Sequence, residues 1–201
     1  MATEATVRHA LRRHLLVEHK YPTETVDEFW VPRSHERADM AVIGRLLTGF
    51  EIKTERDTLR RLPRQAGAYG RVFDRCTVVV AAKHSNAAID MLPEWWGIVE
   101  VSVNGHVTFA ETRKARPNQA VDPETLVRLL WRDEVAAALT TLGARPAPRT
   151  ARSAMWRELL HLADLRQLRA AVRHALVRRV GTDASATSRF RQPLPAVGAG
   201  P

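Results

Sequence analysis

Apolar residues recur along this chain with two different periods, and the switches between them mark its elements. Val7, Leu11 and Leu15 repeat at helical spacing over 4–20, while Arg8, Arg12, Arg13 and Lys20 fall mostly off that face; this predicts an amphipathic helix stopped by Pro22. A short strand over 26–31 ends at Pro32. Residues 38–44 and 49–54 read as two strands joined by a short turn, and 57–74 as a helix broken near Pro63. The β-branched run 76–82 is continuous, as a strand buried on both faces should be. A short helix over 87–92 ends at Pro93, and Asn104-Gly105 predicts a hairpin within 97–111.

The rest of the chain reads as helical. Asp122 as N-cap and Pro123 at the first helical position start one long helix, with Leu126, Leu129, Leu130, Ala137 and Leu142 on its apolar face and Gly143 as its stop. A Pro/Arg linker spans 144–152, a basic helical extension spans 153–181, and residues 182–201 are expected to be disordered. The order of elements predicts an α/β fold around a central, mixed sheet formed by residues 1–143.

Composition adds three bounds. The net charge is +9, yet residues 1–143 carry 20 basic and 19 acidic side chains, against 11 and 3 in residues 144–201. The positive field therefore belongs to the C-terminal part, which points to an acidic partner such as nucleic acid, or to a solvated, compositionally biased appendage. A single cysteine, Cys76, excludes an internal disulfide framework and a cysteine-based zinc site. No apolar run approaches a membrane span, and a cytoplasmic location is the expectation.

Candidate chemistry concentrates between residues 37 and 69. Glu51 and Lys53, two apart on a strand, share one face, with Ile52 on the other. Pairing through the turn brings Asp39 of the preceding strand beside Glu51. Two close carboxylates repel, and a divalent cation removes that conflict. Hard oxygen ligands suit Mg²⁺, and a lysine beside it can orient an attacking water or steady a developing charge. The alternative is a hairpin whose polar positions face water, but the flanking Met-Ala-Val-Ile and Gly-Phe are apolar. Arg56, Arg60 and Arg64 fall on one face of the expected helix, and with Arg61 they form a phosphate-contacting or a solvated surface. Gln65 and Tyr69, four apart, share a helix face.

Asp39, then Glu51-Ile52-Lys53, then Gln65-x-x-x-Tyr69 resembles the PD-(D/E)XK nuclease superfamily, and the Gln/Tyr helix is similar to that of its RecB-like branch. The stretch 37–97 is also similar to an uncharacterised bacterial family and to the MmcB-like DNA-repair proteins. The resemblance implies a restriction-endonuclease-like α/β/α core, Mg²⁺ or Mn²⁺ dependence and phosphodiester hydrolysis. Asp39 and Glu51 would then be metal ligands and Lys53 the catalytic lysine, with Gln65 and Tyr69 positioning substrate. A further metal-ligating glutamate is expected from the first helix or first strand; Glu28 is preferred and Glu18 is the alternative. DNA is favoured over RNA as substrate, in repair, mobile-element or defence contexts, and oligomeric state, a homodimer included, stays open. The competing reading is a non-catalytic nucleic-acid-binding or adaptor protein built on the same fold. Of the remaining features, Trp95-Trp96 read as a cover for the sheet's end, Asp57 as a helix N-cap, and Arg113, Lys114 and Arg116 as phosphate contacts or a solvated loop.

Overall fold

A computed structural model describes residues 3–18 and 23–182. Six strands form one sheet in the order β1 (Glu24–Trp30), β2 (Arg37–Ile43), β3 (Leu47–Lys53), β4 (Arg75–Ala81), β5 (Gly97–Asn104) and β6 (His106–Arg113). The β1–β2, β2–β3 and β5–β6 pairs are antiparallel, and β3–β4–β5 are parallel, so the sheet is mixed. The two parallel connections carry α2 (Leu62–Tyr69) and α3 (Ser85–Met91). Parallel neighbours need such crossovers, because a tight turn can only reverse a strand.

The sheet separates two apolar layers. On one face α1 (Glu4–Glu18) lays Val7, Leu11 and Leu15 onto Met40, Val42, Phe50 and Ile52. On the other face α2 and α3 pack with α4 (Pro123–Leu126), α5 (Arg132–Thr141), α6 (Arg152–Leu162) and α7 (Leu165–Thr182) in a single hydrophobic cluster. β4 serves both layers: Cys76, Val78 and Val80 join the larger cluster and Val79 the smaller. That is the continuous burial its sequence predicted.

Four expectations are corrected. Helix α2 starts at Leu62, and Pro63 opens it instead of breaking it, since its missing N–H costs nothing in a first turn. Arg56 and Arg60 therefore lie in the turns before the helix and do not stack with Arg64. Asp57 caps no helix; its carboxylate accepts from the Thr54 amide at 2.8 Å and hydroxyl at 2.6 Å, closing the turn that leaves β3. The long helix from Pro123 breaks after a 3₁₀ turn at Val127–Leu129. Leu130 and Trp131 are extended there, and Glu134 accepts from the Trp131 amide at 2.6 Å to start α5.

The C-terminal helices are integral to the core. Met155, Trp156 and Leu159 of α6 and Leu168, Val172 and Leu176 of α7 are buried against the same cluster as Phe73 and Tyr69. Several α7 arginines are held in internal pairs: Arg169 meets Asp74 at 2.9 Å, and Arg179 meets Glu134 at 2.6 Å while stacking 4.0 Å from the Trp131 ring. The disorder expected for 182–201 concerns residues outside the described ones from 183 on, as does the Pro22 stop of the first helix. Trp96 is fully buried, packed beside Tyr69, and Arg113 donates to the Trp96 and Pro93 carbonyls, so both tie down the sheet's end. No described helix is long and apolar enough to cross a membrane.

Candidate metal centre

β2 and β3 run antiparallel with Met40 opposite Phe50, so the register places Asp39 opposite Glu51. The ladder stops at that point. The Asp39 carboxylate takes the next strand amide, Ile52 N–H, at 2.6 Å. A carboxylate thus sits in the fork where two central strands part, at the carboxyl end of β3, the usual side for ligand crevices in parallel sheets.

Glu51 points to the α2 side and is almost fully enclosed. Its Oε1 accepts from Lys53 Nζ at 2.5 Å and from Gln65 Nε2 at 2.6 Å, and its Oε2 lies 2.5 Å from the Tyr69 hydroxyl. The spacing of two on a strand brings Lys53 to it, and the spacing of four on α2 brings Gln65 and Tyr69. Tyr69 also hydrogen-bonds the Arg37 carbonyl, which anchors the start of β2. Gln65 Oε1 is buried with no hydrogen-bond partner among the described residues, although Gln65 is only 3% exposed. A buried amide oxygen left open is costly unless something is meant to meet it.

Asp39 faces a second group on the other side. Single carboxylate oxygens of Glu4, Glu28 and Asp39 lie within 4.8 Å of one another. Glu28 reaches this cluster through a backbone irregularity. Its φ is +52°, a left-handed value that costs a non-glycine residue roughly 1–3 kcal/mol. Val26 and Phe29 consequently both face the larger core, and Asp27 and Glu28 both meet arginines of α1. The β1–β2 pairing skips this residue. Glu4 arrives from the first turn of α1. The sequence pattern marks Glu28 or Glu18 as the extra glutamate and does not mark Glu4, which the helix brings to the cluster from its opposite end. Glu18 closes α1 with its side chain outside the described residues.

The carboxylates of the fork are destabilised as anions. Asp39 is pushed up to about 8, first by burial and then by the charge of Glu51, against the pull of the Ile52 amide. Glu51 is also raised, by burial, despite Lys53. The Tyr69 hydroxyl is raised well above its ordinary value by burial and by Glu51. Arg8 supplies the present counter-charge, with its guanidinium on Glu4 and 3.3 Å from Glu28. Three carboxylate oxygens suit Mg²⁺ or Mn²⁺. Metal–oxygen bonds of about 2.0–2.1 Å place opposite ligands about 4.2 Å apart, and the three oxygens lie within 4.8 Å of one another. Glu4, Glu28 and Asp39 are the residues that would hold it, with Glu51 adjacent.

The arginines expected to contact phosphate divide into two pairs. Arg61 and Arg64 both reach Glu36, at 2.8 and 2.6 Å, and Glu36 is buried. Arg56 and Arg60 are exposed in the turns that follow Lys53.

The chain is similar to two known proteins. Protein cII of Enterobacteria phage P4 is 29% identical over 119 residues, which is 59% of this chain and 45% of that protein, so the match spans less than half its length. A solved structure of a protein of unknown function from Silicibacter pomeroyi aligns with 92% of this chain and 97% of its own, at 17% identity and a TM-score of 0.44. The family model for Bacteriophage P4 protein cII matches residues 1–191, and the chain belongs to that family.

Proposed function

We propose that the protein is a metal-dependent nuclease of the PD-(D/E)XK type that hydrolyses phosphodiester bonds, of DNA in the first instance, in the cytoplasm. The observation that carries this reading is the carboxylate trio of Glu4, Glu28 and Asp39 within 4.8 Å, set beside the Glu51–Lys53 pair. A bound Mg²⁺ or Mn²⁺ would polarise a phosphoryl oxygen and stabilise the charge that develops on it. Lys53 spends one N–H on Glu51 and keeps two for an attacking water or for the phosphorane-like charge. The open Gln65 Oε1 accepts from that water and orients it. Tyr69 holds Glu51 in place from the other side. Arg56 and Arg60, exposed next to this end of β3, take flanking phosphates. The preference for DNA rests on the superfamily resemblance, and a mobile-element context fits membership of a bacteriophage family.

One observation favours a second reading, a non-catalytic nucleic-acid-binding protein. Arg8 pairs with both Glu4 and Glu28, so a side chain of the protein itself offsets part of their charge. Cleavage decides between the two. Supercoiled plasmid, labelled single-stranded DNA and RNA are incubated with Mg²⁺, Mn²⁺ or EDTA, beside Lys53→Ala and Asp39→Ala. The nuclease reading expects metal-dependent cutting that both variants lose. Binding without cutting on every substrate, unchanged in both variants, would replace it with the second.

A further inference from the structure

At the opposite end of β3, on the α1 face, the sheet carries a cavity of about 610 Å³ that the metal centre does not use. Thr48 lines it three residues before Glu51, about 10 Å along the strand, and faces the other side of the sheet. Its floor is apolar and partly aromatic, from Phe50, Val99 and Phe109. Its rim is cationic: Arg45 follows β2, Arg75 opens β4, and Lys114 follows β6, with Glu111 the one acid among the lining residues. Arg75 and Lys114, from two separate segments, face one acid, Glu111, among the described lining residues.

Two details show that the cavity is built rather than left over. Arg75 Nε is buried without a hydrogen-bond partner among the described residues, a donor whose desolvation nothing yet repays. Gly97 allows the Lys114–Ala115 segment to close onto β4; a Cβ there would meet Thr77 Oγ1 at 2.8 Å and the Ala115 backbone nitrogen at 3.0 Å. Phe109 is half-buried, with its ring 5.1 Å from His14 on α1, so an aromatic surface borders the cavity below the cationic rim.

We propose that this cavity is a nucleotide-binding pocket, in which a nucleoside phosphate lays its base on Phe109 and its phosphate between Arg75 and Lys114. The volume lies in the range of small-ligand sites, about 300–1,000 Å³. Guanidinium groups match phosphate oxygens in pairs, and every base has a face that stacks on an aromatic ring. The nucleotide is either free or part of a single strand, since both present the same chemistry. The pocket is independent of the metal centre and survives or fails without it.

Calorimetric titration with AMP and ATP, and fluorescence anisotropy of a short labelled single strand, test this in EDTA. Wild type is compared with Arg75→Met and Lys114→Glu. Arg75→Met is expected to weaken binding about tenfold, as loss of one charge-assisted phosphate contact does, and Lys114→Glu, which reverses a charge, by more than that. Binding of AMP or ATP identifies a free nucleotide as the occupant, and binding of the strand alone identifies a nucleotide within it. Lys114 is exposed, so its variant keeps the test valid should Arg75→Met fail to fold. No binding by any probe, or equal binding by wild type and both pocket variants, would overturn the assignment.

Discussion

The acidic fork between β2 and β3 and the arginines of α7 are both charged and both reach into the protein, but their charges are differently disposed. On α7 each buried charge has its partner: Asp74 meets Arg169 and takes the Leu47 amide at 2.8 Å, and Glu134 meets Arg179. In the fork, Asp39 meets another carboxylate, and Glu4 and Glu28 share Arg8, while Asp27 takes Arg12 at 2.5 Å. Net charge alone points to the C-terminal helices as the functional surface. The pairing shows that much of their charge holds the fold, while the nearly neutral N-terminal part holds the unresolved charge.

The largest destabilisation expected of a single substitution lies on the settled side. Asp74→Ala leaves Arg169 facing a buried gap and strips the Leu47 amide, and should cost about 3 kcal/mol in urea unfolding. A loss under about 1 kcal/mol would show that the α7 pairs are ornaments of a basic surface.

On the unsettled side the sign is reversed. Asp39 is neutral in the folded protein up to about pH 8, whereas its unfolded value is near 3.8. Between those values the folded state holds a proton that the unfolded state has lost. Stability in EDTA should therefore fall as pH rises from about 4 to about 8, by up to roughly 1.4 kcal/mol per unit. Asp39→Asn should flatten that slope and raise the melting temperature at pH 8. A stability that climbs over this window would mean that the fork is already compensated.

Arg8→Met sharpens the contrast further. It removes the resident cation, so metal-free stability should drop by about 1 kcal/mol while Mn²⁺ affinity rises about tenfold. Unchanged affinity would separate Arg8 from the ion's place. The smallest effect is expected for Arg56→Ala with Arg60→Ala. Both side chains are exposed, so stability should move by less than about 0.5 kcal/mol while the salt dependence of DNA binding weakens.

Local arithmetic explains how much of this was legible in the sequence. The two-residue period of β3 and the four-residue spacing of α2 brought Lys53, Gln65 and Tyr69 to Glu51, and the short turn implied Asp39 opposite it. Asn104-Gly105 announced its hairpin, with Gly105 at a φ of +77°. What escaped depends on contacts between distant segments. Glu4 carries no local mark beyond an acid in a first helical turn, and only the packing of α1 across the sheet carries it to Asp39. The flipped backbone at Glu28 breaks the alternation that strand reading relies on. The break at Leu130 occurs in an unbroken helical pattern, because burial of Leu130 and the contact of Arg179 with the Leu129 carbonyl outweigh propensity there.

Calorimetric titration with Mn²⁺ tests the metal centre most directly, on wild type, Asp39→Asn and Glu4→Gln at pH 8. The account predicts saturable binding in wild type that both variants weaken at least tenfold, Glu4→Gln included although it lies far from the sequence motif. Equal binding in all three proteins, or none in wild type, would contradict it.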